Sequence, residues 1–267
     1  MKFIDTHSHL YAKEFDKDRD EVVQKAIDSG VEKILLPNIS SKYTQRLLSL
    51  CQNYPNNCFP MMGLHPCDVN LDGYEEEIEH VKKELLTKKY IAVGEIGIDL
   101  HWDKSTLEIQ KKAFASQILL AKENNLPIVI HVRNSFDETI NIVEKYNDDN
   151  LSGVFHCFTG NIKEANQIIG LNNFYIGIGG VLTFKNSNLD KTIKNINNEN
   201  LILETDSPYL TPTPYRGTRN ESKHIIEIAK KLAEIKNISI EEVSRFTNEN
   251  ANRLFKIRLK KFYYSTP

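Results

Sequence analysis

A histidine pair near the start of the chain has the spacing of a metal-binding site. His7 and His9 are separated by one residue, and in an extended strand residues two apart point to the same side. Both imidazoles could therefore bind one cation, and the alternative is a pair of hydrogen-bonded core histidines. Three further candidates, His131, His156 and Asp206, favour metal binding.

A glutamate enclosed by glycines could bridge two cations. Glu95 stands in the stretch Val-Gly-Glu-Ile-Gly, and glycines let the backbone come close to a bound group. Each carboxylate oxygen can bind one ion, so a single side chain can join two of them. The alternative is a glutamate held in an ordinary ion pair.

Eight short β-rich runs alternate with helical patterns, and these elements must position the candidate ligands. The predicted strands cover residues 2–5, 33–37, 59–63, 91–95, 127–131, 153–158, 174–177 and 201–205. Several are continuous apolar runs, as expected for parallel strands buried on both faces. The predicted helices cover residues 18–29, 74–89, 106–125, 135–146, 163–171, 189–195, 221–236 and 240–255.

This alternation predicts one α/β domain, a closed (β/α)8 barrel over residues 1–255, with a doubly wound open sheet as the alternative. No linker, composition shift or repeat divides the chain. Residues 256–267 form a basic and aromatic C-terminal extension. We interpret it as a loose terminal segment, and a nucleic-acid contact is the less favoured alternative.

The predicted barrel brings the metal-binding candidates together. Its strands all point the same way, so residues at their carboxyl ends meet at one rim, where barrel enzymes build their sites. The candidates in such positions are His7, His9, Glu95, His131, His156 and Asp206. Six ligands are too many for one tetrahedral ion but suit two ions ~3.5–4 Å apart. With neutral histidines, two divalent ions and two carboxylates leave a charge of about +2, which can hold a phosphodiester.

Other rim residues have two interpretations each. Arg133 lies two residues beyond the histidine of strand five, so it could hold a phosphate through two hydrogen bonds or form a structural ion pair. For Arg216, in a loop bracketed by proline and glycine, a phosphate contact is favoured. His65 could donate a proton or cap a helix. Trp102 could stack on a nucleobase or simply pack.

Length and composition are those of a globular protein. The chain has 267 residues, of which 40% are hydrophobic and 26% charged, and this excludes disorder and fibres. Its 34 basic and 36 acidic residues give a net charge of −2, so phosphate binding must come from a local site. No apolar stretch is long enough for a transmembrane helix, and the N-terminus has no signal-peptide pattern. The four cysteines form no CxxC pair, so we expect free thiols in a reducing cytoplasm. Separately, we expect a monomer without membrane contact.

Seven motifs occur in order along the chain. They are FIDTHSHL at 3–10, GLHP at 63–66, GEIGID at 94–99, PIVIHVR at 127–133, HCFTG at 156–160, ETDSPYL at 204–210 and PYRGTRNE at 214–221. Single motifs are modest signals, but the ordered set is specific. It resembles the TatD-like metal-dependent deoxyribonucleases of the amidohydrolase superfamily, from residue 3 to about 255.

The resemblance implies a barrel and a metal-dependent hydrolase that trims single-stranded 3′ ends of DNA, with RNA as a further substrate. The metal ligands that it implies are His7, His9, Glu95, His131, His156 and Asp206. They would hold two divalent ions, Mg or Mn in activity, with Zn as a bound form. Asp206 would also be the general base, and Glu95 would act beside it as the second catalytic carboxylate. The substrate side would consist of His65, Arg133, Glu204, Tyr209, Arg216 and Asn220, of which Tyr209 and Asn220 support the loop carrying Arg216.

Two other function classes compete with this interpretation. Related barrels with the same ligands hydrolyse amides, esters or lactones, and a lysine at the end of strand four would favour that alternative. Glu95 stands there instead. A metal-binding protein without catalytic activity is the third class, and the complete ligand set argues against it.

Overall fold

Eight parallel strands form the centre of the computed structural model, which describes residues 1–257. The strands are Phe3–Asp5 (β1), Val31–Leu36 (β2), Cys58–Pro60 (β3), Val93–Asp99 (β4), Ile128–Arg133 (β5), Gly153–Phe155 (β6), Phe174–Ile178 (β7) and Leu201–Leu203 (β8). Strands β1 to β3 pair in order, and so do β4 to β8. Every pair is parallel.

Backbone hydrogen bonds close the two sheets into one barrel. The Gly94 N–H donates to the Met62 carbonyl at 2.9 Å, which joins β4 to the chain just after β3. The Asp206 N–H donates to the His7 carbonyl at 2.8 Å and joins the far side in the same way. The predicted closed barrel is therefore confirmed, and the open sheet is excluded.

Helices surround the barrel. The described residues contain Arg19–Asp28 (α1), Ser41–Asn53 (α2), Tyr74–Leu85 (α3), Leu107–Asn124 (α4), Phe136–Tyr146 (α5), Ile162–Gly170 (α6), Leu189–Lys194 (α7), Ile225–Lys236 (α8) and Ile240–Phe255 (α9). Among helices within residues 1–257, none has the length and apolar character to cross a membrane. From residue 258 onward, the predicted basic and aromatic extension lies outside the described residues.

Helix α2 is the element that the sequence interpretation omits. Its buried apolar residues, Leu47, Leu50 and Cys51, lie in its second half. The first half is almost entirely polar, so the helical period of apolar residues is too short to stand out. A serine at the N-cap position, Ser40, is the signal that could have located its start.

Side chains alternate between two buried layers along the strands. In β2, Leu35 belongs to the cluster inside the barrel, while Ile34 and Leu36 pack in the layer facing the helices. This is the period of two expected of a strand. Leu254 and Phe255 of α9 join the inner cluster and close the end of the barrel where the strands begin. The opposite end, where the strands finish, carries the polar residues.

Two strand boundaries differ from the prediction in ways that matter for the site. Strand β4 continues to Asp99, so Glu95 lies inside the strand instead of ending it. Gly97 makes this continuation possible, because its φ is +144° and a side chain there would overlap the His131 carbonyl of β5. Strand β6 ends at Phe155, so His156 follows the strand directly.

Candidate metal centre

The six predicted ligands lie together at the rim where the strands end. Three groups of side chains there have ligand atoms within 4.8 Å of one another. They are His7, His9 and Glu95; His7, His156 and Asp206; and His65, Glu95 and His131. His65 was predicted as a substrate-side residue, and the structure places it against the same glutamate.

One oxygen of Glu95 faces the histidines of the first strand. Glu95 Oε2 lies 3.1 Å from His7 Nε2 and 3.5 Å from His9 Nε2. Asp206 Oδ1 completes this set, at 3.8 Å from His7 Nε2 and 3.6 Å from His9 Nε2. Asp206 reaches this position in the segment that follows β8, with a left-handed backbone, φ +57°, which aspartate adopts more readily than most residues.

The other oxygen of Glu95 faces a second set of histidines. Glu95 Oε1 lies 2.8 Å from both His131 Nδ1 and His156 Nε2, and 3.3 Å from His65 Nε2. The rings of His156 and His7 stack with centroids 3.9 Å apart, so the two sets are adjacent. A single carboxylate therefore stands between two groups of imidazoles, as a ligand bridging two cations would.

The donor set fits divalent cations. Two ligand atoms bound tetrahedrally to one ion at about 2.0–2.1 Å lie roughly 3.4 Å apart, and the separations around Glu95 Oε2 are 3.1 to 3.8 Å. Imidazole and carboxylate ligands suit Zn, Mn, Co or Ni, while Mg prefers oxygen. The arrangement can thus hold cations, and its chemistry alone does not select one metal.

Tyr11 sets the orientation of His9. The Tyr11 hydroxyl donates to the Pro37 carbonyl at 2.6 Å, and the same oxygen lies 2.9 Å from His9 Nδ1. Because the hydroxyl hydrogen is used, His9 Nδ1 must be the donor of the second bond. His9 Nε2 faces Glu95 and Asp206. Burial would lower the pKa of His9, but the hydrogen bonds and charges of these two carboxylates raise it to about 9, so a cation bound at Nε2 would take the place of the proton there. The sequence reasoning missed Tyr11, although its spacing of two from His9 was a usable signal.

Asp99 does the same for His131 and was also missed as a site residue. Its Oδ2 accepts a hydrogen bond from His131 Nε2 at 2.9 Å, while His131 Nδ1 faces Glu95. A ring between two carboxylates must either carry two protons or donate to one and present its lone pair to a cation at the other. The alternation of Glu95, Gly97 and Asp99 along β4 was the available signal.

His65 has the opposite ring orientation. Its Nδ1 accepts a hydrogen bond from the Cys67 N–H at 3.0 Å, so His65 caps the short 3-10 helix Pro66–Asp68 and the predicted capping role is confirmed. Burial, followed by the charge of His131, lowers the pKa of His65 although Glu95 opposes this. The neutral ring therefore carries its proton on Nε2 and donates toward Glu95. This favours the predicted substrate-side role over metal binding, because a protonated nitrogen cannot bind a cation.

Glu204 lies behind the site. It is fully buried, accepts a hydrogen bond from the Cys157 N–H, and has Oε1 3.5 Å from His156 Nδ1. This geometry favours support of His156 over the predicted direct contact with substrate. Glu204 thus stands behind His156 as Tyr11 stands behind His9 and Asp99 behind His131. Each lies near the ring nitrogen that faces away from Glu95.

The buried carboxylates of the site stay ionised. Burial by itself would raise the pKa of Glu95, but the surrounding histidines, with the charge of His156 first among them, hold it well below its usual value. The pKa of Asp206 is also lowered against burial, mainly by a hydrogen bond from His9 and by nearby histidine charge. Both groups can therefore act as ligands, and Asp206 can accept a proton.

The remaining predicted residues are arranged around the rim. Asn220 is buried and donates to the Thr205 and Tyr209 carbonyls at 2.8 and 2.7 Å, so it supports the loop. Tyr209 is 51% exposed, with its ring 6.2 Å from that of His9. Arg133, the last residue of β5, and Arg216, in the loop after β8, are both exposed.

Comparison with known proteins gives matches over almost the whole chain. Residues 4–256 match the family described as TatD related DNase. An uncharacterized metal-dependent hydrolase, YabD of Bacillus subtilis, is 40% identical over 255 residues, covering 95% of this chain and 99% of that protein. The 3′-5′ ssDNA/RNA exonuclease TatD of Pectobacterium carotovorum is 30% identical, covering 95% and 99%. The crystal structure of YjjV, a TatD homolog from Escherichia coli K12, superposes with a TM-score of 0.88 at 28% identity, covering 96% of this chain and 98% of that one.

Proposed function

The chain belongs to the TatD-related DNase family, and we propose that this metal-dependent hydrolase cleaves phosphodiester bonds, removing nucleotides from the 3′ end of single-stranded DNA or RNA. The observation that carries the proposal is Glu95, whose two oxygens face separate sets of histidines. The name of the Pectobacterium relative, an ssDNA/RNA exonuclease, supports the choice of substrate. The four free cysteines fit a cytoplasmic location.

Two divalent ions would bind on either side of Glu95. We assign His7, His9 and Asp206 to one ion and His131 and His156 to the other, with Mg or Mn in the active enzyme and Zn as a bound form. When bound, such a pair of ions acidifies a water molecule and neutralises charge on the phosphate oxygens.

Asp206 is the group that we propose to accept the proton of the attacking water. Its side chain is 13% exposed, against 3% for Glu95, so water can approach it more easily than the bridging carboxylate. The lowered pKa of Asp206 keeps it ionised and able to take a proton. His65, with its proton on Nε2, is placed to donate a hydrogen bond to a substrate oxygen near Glu95.

Digestion of end-labelled oligonucleotides tests the proposal. Single-stranded and duplex DNA and RNA are incubated in parallel with Mg, Mn, Zn or a chelator. We expect 3′ shortening of single strands, abolished by chelation. Asp206→Asn should lower kcat by about 10²–10⁴-fold, the usual cost of losing a general base, while the exposed Asp190→Asn in α7 serves as control.

The competing hydrolase class is tested in the same preparation. A panel of simple lactones and cyclic amides is offered to the protein loaded with each metal. Hydrolysis of a panel member without oligonucleotide shortening would overturn the nuclease proposal in favour of the amide or ester class.

A further inference from the structure

The loop after β4 carries an exposed aromatic side chain beside the candidate metal centre. Trp102 is the one tryptophan of the sequence, and it is 73% exposed. Isolated apolar residues are common on protein surfaces, so its exposure alone implies nothing. The residues around the indole distinguish Trp102 from an ordinary exposed apolar side chain.

Arg133 lies next to this indole and forms no ion pair within residues 1–257. Its guanidinium lies 5.4 Å from the centroid of the Trp102 ring, within cation–π range. None of the ion pairs formed by residues 1–257 includes Arg133. By contrast, Arg216 donates to the Thr211 carbonyl at 2.8 Å and lies 3.8 Å from the centroid of the Phe184 ring.

The pair is fixed to the strands that carry the ligands. Arg133 is opposite Asp99 in the register of β4 and β5, and its carbonyl accepts from the Leu100 N–H at 2.9 Å. The His101 N–H donates to Asp99 Oδ1 at 2.9 Å, and the His101 ring meets Trp102 edge-on at 4.8 Å. At about 3.3 Å per residue, Arg133 lies only ~6.6 Å along β5 from His131.

We infer that Trp102 and Arg133 form a binding site for one unpaired nucleotide of the substrate. The base stacks on the exposed indole face, and the guanidinium holds the adjacent phosphate through paired hydrogen bonds. A base in a duplex is already stacked and paired, so this site selects single strands. The inference rests on the proposed nuclease function and names the part of the substrate that the rim recognises.

Tryptophan fluorescence tests this directly, because Trp102 is the one tryptophan of the sequence and can be excited selectively over the tyrosines. The full-length protein is titrated with a ten-residue oligothymidylate and with a matched duplex. A chelator prevents turnover, and the titration is repeated with Asp206→Asn in Mg. We expect saturable quenching by the single strand and little change with the duplex.

Variants separate stacking from the charge contact. In anisotropy titrations with a labelled oligothymidylate, Trp102→Ala should weaken binding about tenfold or more, as loss of one stacked base does. Trp102→Phe should restore part of it. Arg133→Ala should weaken binding and flatten its salt dependence, whereas Arg245→Ala on the exposed face of α9 is the matched control. In cleavage assays the three site variants should raise KM with little change in kcat.

The outcomes distinguish this inference from the nuclease proposal. Cleavage of oligonucleotides with no quenching and an unchanged KM for Trp102→Ala would overturn the nucleotide site and leave the nuclease function standing. Saturable quenching without any cleavage would support the site and overturn the function. Equal quenching by single strand and duplex would contradict the stacking of an unpaired base.

Discussion

Replacing Asp99 by asparagine is expected to weaken the binding of one metal ion and leave the other unchanged. The carboxylate accepts from His131 Nε2 at 2.9 Å, and this bond keeps the ring's lone pair on Nδ1, facing Glu95. Asparagine is a neutral and weaker acceptor, and its amide can turn a donor toward the ring instead. The His131 ring would then no longer prefer to carry its proton on Nε2, and its Nδ1 lone pair would be less available to a cation.

The magnitude follows from the role of such partners. Loss of a hydrogen-bonding partner behind a ligand histidine typically costs 10–100-fold in metal affinity, or ~1.4–2.7 kcal/mol. The backbone should not collapse, because Gln110 holds the Asp99 N–H and carbonyl at 2.8 and 3.0 Å. We therefore expect a change in affinity without loss of fold.

Calorimetric titration with Mn measures the metal affinity of each variant and requires no turnover. Tyr11→Phe is the companion variant, because it removes the acceptor of His9 Nδ1 and should weaken the ion on the opposite side of Glu95. Each variant should alter one of two binding events. Equal weakening of both events in Asp99→Asn, or wild-type affinity in both variants, would refute the assignment of one ring-orienting partner to each ion.

Four other outcomes are expected. Chelation should abolish activity and leave the circular dichroism spectrum unchanged, because a core of this size does not need metal to fold; loss of the spectrum would make the ions structural. Asp5→Ala should lower the free energy of unfolding by about 1–3 kcal/mol in denaturant titration, because the buried Thr205 N–H loses its acceptor, Asp5 Oδ1; an unchanged midpoint would contradict this stabilising role of Asp5. Gly97→Ala should lower the free energy of unfolding by at least about 1–3 kcal/mol in the same measurement, because an alanine at φ +144° is strained. Arg133→Ala should reduce the slope of log affinity against log salt by about 0.7, and Arg216→Ala by less; the reverse order would contradict the contrast between these arginines.

The fold was largely predictable because its strands are short apolar runs at regular intervals. Their exact ends were not, since both faces of such a strand are buried and polarity does not mark where the pairing stops. In β4 the chain stays paired through Gly97 to Asp99, where the glycine allows the close approach of the His131 carbonyl. Helix α2 was missed because its polar first half hides the helical period.

The positions of the predicted ligands followed from one geometric fact, that parallel strands finish at a common rim. The residues that orient the rings could not be found in this way. The bond from Tyr11 to Pro37 spans 26 residues, and that from His131 to Asp99 spans 32. These contacts depend on which strands become neighbours and on where each side chain points, and a sequence shows neither directly.

Arg133 and Arg216 also show that a sequence does not reveal the contacts that a side chain already makes. Sequence alone presents Arg133 and Arg216 as equivalent cations near strand ends, and both were predicted to contact phosphate. In the structure, Arg216 must give up its bond to the Thr211 carbonyl and its contact with Phe184 before it can turn to a ligand. Arg133 gives up no ion pair formed within residues 1–257 and is already aligned with β5. A phosphate is therefore held at lower cost by Arg133, because binding energy is what remains after existing contacts have been replaced.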